Sequence, residues 1–196
     1  MKRIFSMILC LGLVGAASVG ATTVWADHGG DDNGTTTTTT TAPATPITCP
    51  TTAGSSDSSD DVGDDNDDHL AGTNGDDRMH GKGGDDDLNG DSGDDDMCGD
   101  AGDDNLKGGP GNDKLDGGRG NDVLQGQAGD DVEHGEAGDD TISGGSGRDV
   151  LSGGAGNDRI KARDGRRDRI TCGAGNDIVT ADRGDSVARN CEHVSR

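Results

Sequence analysis

The sequence predicts an all-β solenoid of stacked parallel strands, and three observations predict it. Glycine stands at positions 75, 84, 93, 102, 111, 120, 129, 138, 147, 156 and 165, eleven in succession at intervals of nine. Two residues after each of the first ten comes an aspartate, and two residues beyond that an apolar residue in nearly every repeat. Aromatic residues make up 1% of the 196-residue chain, so whatever core forms must be thin. A strict period of this length is the signature of repeats that stack on one another.

Each position of the repeat has a physical task. The apolar residue flanked by two variable ones reads as a three-residue strand with its middle side chain inward and its neighbours facing water. The inward set is Leu70, Met79, Leu88, Met97, Leu106, Leu115, Leu124, Ile142, Leu151 and Ile160. The glycines supply the positive φ angles and close backbone approach that the intervening turn requires. Strand and turn, taken twice, return the chain to its starting direction after eighteen residues, so coils stack with a thin aliphatic filling.

Composition alone points elsewhere. Hydrophobic residues are 27% of the chain and the formal net charge is -22, a balance typical of disordered acidic chains. Only the periodicity argues for a fold. The same charge excludes nucleic acid as a partner, because phosphate binding needs a basic footprint. Metal cations are the natural counterions.

The first 26 residues differ from the rest. Lys2 and Arg3 precede an apolar stretch from Ile4 to Val19 and then small residues up to Ala26, the pattern of a secretory signal peptide cleaved after Ala26 or Ala21. The stretch is short for a membrane span, and the mature chain holds no other candidate. Residues 27–65, rich in Thr, Ser and Asp, read as a disordered linker. Four cysteines remain after export: Cys49, Cys98, Cys172 and Cys191. Outside the cell an even count favours disulfides, and four allow three pairings. Cys172 with Cys191 is the preferred pair, since both lie where the repeat ends; Cys49 with Cys98 would then tie the linker to the repeat body.

Stacking gives the aspartates their meaning. Asp86, Asp104, Asp122, Asp140 and Asp158 fall in one column, and Asp77, Asp95, Asp113, Asp131 and Asp149 in the opposite one. Carboxylates about 5 Å apart, the strand spacing, repel unless something lies between them. Calcium accepts six to eight oxygen ligands and tolerates irregular geometry, which suits carboxylates and glycine-turn carbonyls better than magnesium's octahedron. Zinc needs His or Cys clusters, and the five histidines are scattered.

At this point the residues resemble the hemolysin-type, or repeats-in-toxin (RTX), calcium-binding nonapeptide G-G-x-G-x-D-x-U-x, where U is a large aliphatic. The complete form occurs in GGPGNDKLD (108–116), GGRGNDVLQ (117–125), GGSGRDVLS (144–152) and GGAGNDRIK (153–161). Elsewhere the second glycine gives way to Lys82, Asp91, Asp100, Gln127 or Glu136. The resemblance implies a parallel β-roll, a right-handed β-solenoid, over residues 66–169, with calcium held in the turns by sixth-position aspartates and backbone carbonyls. The metal ligands it implies are Asp68, Asp77, Asp86, Asp95, Asp104, Asp113, Asp122, Asp131, Asp140, Asp149, Asp158 and Asp177, binding several Ca2+ ions.

Departures from the pattern carry further expectations. Glu133 occupies an aliphatic position, which predicts a shifted or weakened coil there. One residue is inserted after Gly165, and the glycines are missing around Asp168, so calcium is not expected at that turn. Residues 170–196, where the pattern breaks down, read as a cap over the open end. Arg159, Lys161, Arg163, Arg166, Arg167 and Arg169 form a basic segment on an acidic chain, read either as a solvated counterweight or as a contact for an anionic wall polymer or lipid headgroup.

The function expected is that of a secreted, non-catalytic calcium-binding protein whose folding is coupled to the ion, with possible partners among cell-envelope or extracellular polymers. The alternatives are a surface adhesion module with purely structural calcium, and an accessory remnant of an RTX-type enzyme or toxin. Ice binding is disfavoured, because the outward residues form a mixed set without a threonine or asparagine ladder.

Overall fold

A computed structural model describes residues 60–196, which form strands and turns without a helix. The strands are β1 (Asp60–Val62), β2 (His69–Ala71), β3 (Arg78–His80), β4 (Asp87–Asn89), β5 (Asp96–Ala101), β6 (Asn105–Pro110), β7 (Lys114–Arg119) and β8 (Val123–Ala128). They continue as β9 (Val132–Ala137), β10 (Thr141–Ser146), β11 (Val150–Ala155), β12 (Arg159–Ala162), β13 (Arg169–Ala174), β14 (Ile178–Ala181), β15 (Ser186–Val187) and β16 (His193–Ser195). Odd strands make one eight-stranded sheet and even strands the other, every pair parallel. The fold is therefore a parallel β-solenoid of about eight coils, as the eighteen-residue return requires. The expected signal peptide over residues 1–26, most of the expected linker and Cys49 lie outside the described residues.

Register follows the inward aliphatics. Leu106 pairs with Leu124, and Leu124 with Ile142, each eighteen residues on. From Met79 to Val179 the aliphatic inward side chains are 0–1% exposed, while Leu70 and Val187 at the two ends are only partly covered. Pairing starts at Asp60, six residues before the nonapeptide phase becomes legible at Asn66, and runs through Ser195. The inserted residue is absorbed in the turn at 163–167, because Leu151 pairs with Ile170 across nineteen residues and Ile170 with Val187 across seventeen.

Glu133 corrects half of one expectation, the shift. Its coil is neither shifted nor interrupted: Leu115, Glu133 and Leu151 stand in one continuous register row. Glu133 is 0% exposed, and its Oε1 accepts a 2.7 Å hydrogen bond from the Gly126 N–H. With aliphatic neighbours above and below and strand pairing intact on both sides, the ladder fixes the position, and the side chain must accept the core.

The backbone explains why two glycine positions behave differently. Lys82, Asp91, Asp100, Gln127 and Glu136, which replace the second glycine, all adopt φ between 71° and 79°. An unbranched residue can adopt that left-handed region at roughly 1–2 kcal/mol. The glycine at the nine-residue beat differs: Gly120 has φ of 133°, and a Cβ there would overlap the carbonyl oxygen of Gly102 in the coil before it. Neither torsion nor space allows a substitute. We expect Gly120→Ala to destabilise the calcium-loaded roll by roughly 3 kcal/mol in urea titration, a strained φ added to a backbone clash. Gly165→Ala, with φ of 88° and nothing within 4 Å of the added carbon, should lose only about 1 kcal/mol.

Candidate metal centre

The turns carry two side-chain ladders. In the inner one, the backbone N–H of each motif aspartate donates to Oδ1 of the aspartate one coil later. On the even side the bonds run from Asp68 to Asp86, Asp86 to Asp104 and Asp104 to Asp122, each 2.8 Å. They continue from Asp122 to Asp140, Asp140 to Asp158 and Asp158 to Asp177 at 2.9–3.0 Å. On the odd side they link Asp77, Asp95, Asp113, Asp131 and Asp149 and reach Asp168 at 3.0 Å. The two columns expected from the spacing are thus present, with a peptide N–H between successive carboxylates.

The second oxygen of each carboxylate is left over. Oδ2 of Asp86, Asp95, Asp104, Asp113, Asp122, Asp131, Asp140, Asp149, Asp158, Asp168 and Asp177 is buried and has no hydrogen-bond partner among the described residues. Each of these aspartates is at most 3% exposed. Desolvating such an oxygen without a partner is unfavourable by about 1–3 kcal/mol, and more when it is charged. Asp68 and Asp77 differ: Asp68 Oδ2 accepts the Asp64 N–H at 2.7 Å, and Asp77 Oδ2 accepts the Thr73 N–H at 2.5 Å. The first two coils satisfy these oxygens locally, and the later ones do not.

A second acceptor shares the space. A Cβ built on Gly90 would meet Asp95 Oδ2 and lie 2.7 Å from the Gly108 carbonyl oxygen; at Gly99 the neighbours are Asp104 Oδ2 and the Gly117 carbonyl, also at 2.7 Å. The glycine therefore leaves room for a carboxylate oxygen and a carbonyl oxygen that face the same point. A donor-free carboxylate oxygen beside a carbonyl oxygen suits a hard cation, and calcium in particular draws on carboxylates and backbone carbonyls. Among the described residues, no three His, Cys, Asp or Glu side chains gather as a metal-binding group. A cation here would take much of its coordination from the backbone, through the glycine cradle.

Electrostatics agrees with geometry. Burial, reinforced by carboxylates in neighbouring coils, pushes Asp95, Asp122 and Asp131 up to about 7 and Asp104 and Asp140 to about 6. Asp86, Asp113, Asp149 and Asp158 are raised by the same desolvation. Without a cation, burial favours the protonated form of these carboxyls over the charged one more than in an exposed aspartate.

The structure extends both columns and adds a further ladder. Asp168, in register but with no ion expected there, joins the odd column, is 3% exposed and is raised to about 6 chiefly by burial, although its turn lacks the glycine cradle; its N–H donates in turn to Asp185 Oδ1 at 3.2 Å, where the column ends. Glu192 ends the even column, its Oε2 accepting the Asp177 N–H at 3.1 Å. An outer ladder of opposite polarity uses the residue before each motif aspartate: the Asn112 and Asn121 N–H groups donate to Asp94 and Asp103 Oδ1 of the preceding coil at 2.7 Å. Its signal was the Asp or Asn that fills this place in nearly every repeat. Arg148 interrupts that run and puts its guanidinium on Asp130, 2.5 Å away.

Two stacked parallel sheets joined by aspartate-lined glycine turns define a nonapeptide-repeat solenoid. The model for the RTX calcium-binding nonapeptide repeat matches four times, over residues 62–97, 99–133, 134–167 and 164–188. The chain belongs to this family, and is a calcium-binding repeat protein in that sense. No curated protein and no solved structure gives a significant match. No helix among the described residues is long and apolar enough to cross a membrane.

Proposed function

We propose that this is an exported, non-catalytic protein whose repeat domain folds only with calcium and serves as an extracellular interaction module. One observation carries the reading: buried carboxylate oxygens, stacked in two columns, face neighbouring carbonyls and no donor. The twelve motif aspartates, Asp68 to Asp177, would hold the ions, with Asp86 and its successors the principal ones. Bound calcium supplies positive charge between coils. The protein's own groups orient the ligands: from Asp86 onward each Oδ1 is pinned by a backbone N–H, which fixes the carboxylate plane and leaves Oδ2 to the ion. Because such a site exists only in the folded chain, ion binding becomes folding free energy.

Export follows from residues 1–26 and agrees with the joining of Cys172 to Cys191, whose Cα atoms are 5.1 Å apart, a pairing that belongs to an oxidising compartment. Residues 170–196 close the roll. The aspartates recur as ladder members rather than as one catalytic pair, so protease, lipase and glycosidase assays should return nothing. The decisive experiment is a calorimetric calcium titration of the full mature chain. Several ions should bind, and Asp122→Asn should remove at least one of them with little effect on the far-ultraviolet spectrum at saturating calcium. Absence of binding at millimolar calcium would overturn the proposal.

A further inference from the structure

The two sheets present different outer faces. On the even sheet the outward side chains from β6 to β16 include no acid, in a chain with 39 of them. One row runs Lys107, Gln125, Ser143, Lys161, Thr180 and Ser195 in strict register. The parallel row carries Asn105, Val123, Thr141, Arg159 and Ile178. Lys107, Arg159 and Lys161 are exposed, and so are Val123 at 37% and Ile178 at 47%, two of the four large apolar side chains left in solvent among the described residues. The odd sheet, by contrast, mixes Asp96 and Asp116 among Lys114 and Arg169.

The structure also divides the basic segment. Arg159 and Lys161 project from the even sheet, Arg163, Arg166 and Arg167 occupy the turn, and Arg169 projects from the odd sheet. The segment girdles one coil, and only its first two cations join a flat face.

We infer that the even sheet's outer face binds a linear anionic polysaccharide lying along the roll axis, across the strands. The inference rests on the interaction-module reading above and names its partner class. Cations at Lys107 and Lys161 stand three strands apart, about 14 Å at the usual strand spacing, with amide and hydroxyl groups at each step between them. A sugar ring is about as long as one such step, so successive rings meet successive rows. Amides and hydroxyls satisfy ring oxygens and hydroxyls, the exposed Val123 and Ile178 cover the apolar ring faces, and the cations meet carboxylate or sulfate groups. Shape selects a chain over a membrane. The outer Asp and Asn ladders flank the sheet on both edges, and a planar anionic surface would press against them, whereas a single chain stays over the acid-free centre, with screening over about 8 Å at physiological ionic strength.

The test uses the mature chain in millimolar calcium with fluorescent chondroitin sulfate as the probe, followed by anisotropy at physiological salt. Unlabelled dextran serves as the neutral competitor and phosphatidylglycerol vesicles as the planar one. We expect saturable binding that dextran does not compete away. Arg159→Glu with Lys161→Glu should weaken it at least tenfold, and Lys114→Glu with Arg169→Glu on the odd sheet less than twofold. Spectra and calcium heats of both pairs should match the parent chain, which separates a failure here from a failure of calcium binding. No binding, equal loss from both pairs, or vesicles captured as tightly as the polymer would each overturn the inference.

Discussion

Calcium withdrawal is expected to unfold the repeat domain: with excess chelator at pH 7.5, the strand spectrum of the loaded protein should collapse to that of an unordered chain, and added calcium should restore it. The aliphatic filling is one side chain per nine residues, with no aromatic among the buried core residues. Against it stand two columns of desolvated carboxylates whose unbound oxygens face carbonyls. Linkage gives the apo chain a characteristic pH response. Asp95, Asp122 and Asp131 are raised from 3.8 to about 7 by burial, so the folded state binds more protons than the unfolded state between about pH 4 and 7. Stability must then fall as pH rises through that window. In chelator, acidification from pH 7.5 to 5 should regain strand signal, whereas a carboxylate held by cationic partners would give the opposite slope. Calcium loading near pH 6.5 should release protons, seen as a dependence of the calorimetric heat on the buffer's ionisation enthalpy. A chelated chain that keeps its spectrum at pH 7.5 would refute the coupling.

The sequence was most legible where one rule acts alone. Period and inward position follow from Leu106, Leu124 and Ile142, since an eighteen-residue return leaves no other stacking for them. The aspartate columns follow from the same arithmetic. What lies between the carboxylates did not, because the direction in which Asp104 turns its Oδ1 depends on a peptide N–H eighteen residues away, and spacing carries no torsions. The outer ladder was hidden for a related reason: Asn112 and Asp94 look like ordinary turn residues until stacking puts one above the other. Asp168 was set aside for its missing glycines, but the backbone N–H of Asp149 recruits it, as the inserted residue bulges within the turn and leaves the register intact. The basic segment looked contiguous in sequence, and the solenoid distributes it around a coil.

Glu133 offers the sharpest single-residue test. Replacing it with leucine should stabilise the calcium-loaded roll by about 2–4 kcal/mol at pH 7.5, read from urea unfolding. The carboxyl lies between Leu115 and Leu151 in the core, and burial pushes it to about 8, with the carboxylates of Asp131 and Asp149 adding to the rise. Its Oε2 finds no donor among the described residues, although the Gly126 N–H serves Oε1. A raised acid disfavours folding wherever it would be ionised in the unfolded chain, so the advantage of leucine should be smallest at pH 4.5, where apolar burial alone contributes, and grow until about pH 8. Glu133→Gln should recover the pH-dependent gain and none of the gain from apolar burial, since it removes the titrating charge and keeps a polar group in need of partners. Should leucine be neutral or harmful across the whole range, the glutamate would have to be stabilised in its charged form, and the aliphatic column would not be the continuous apolar filling that the register describes.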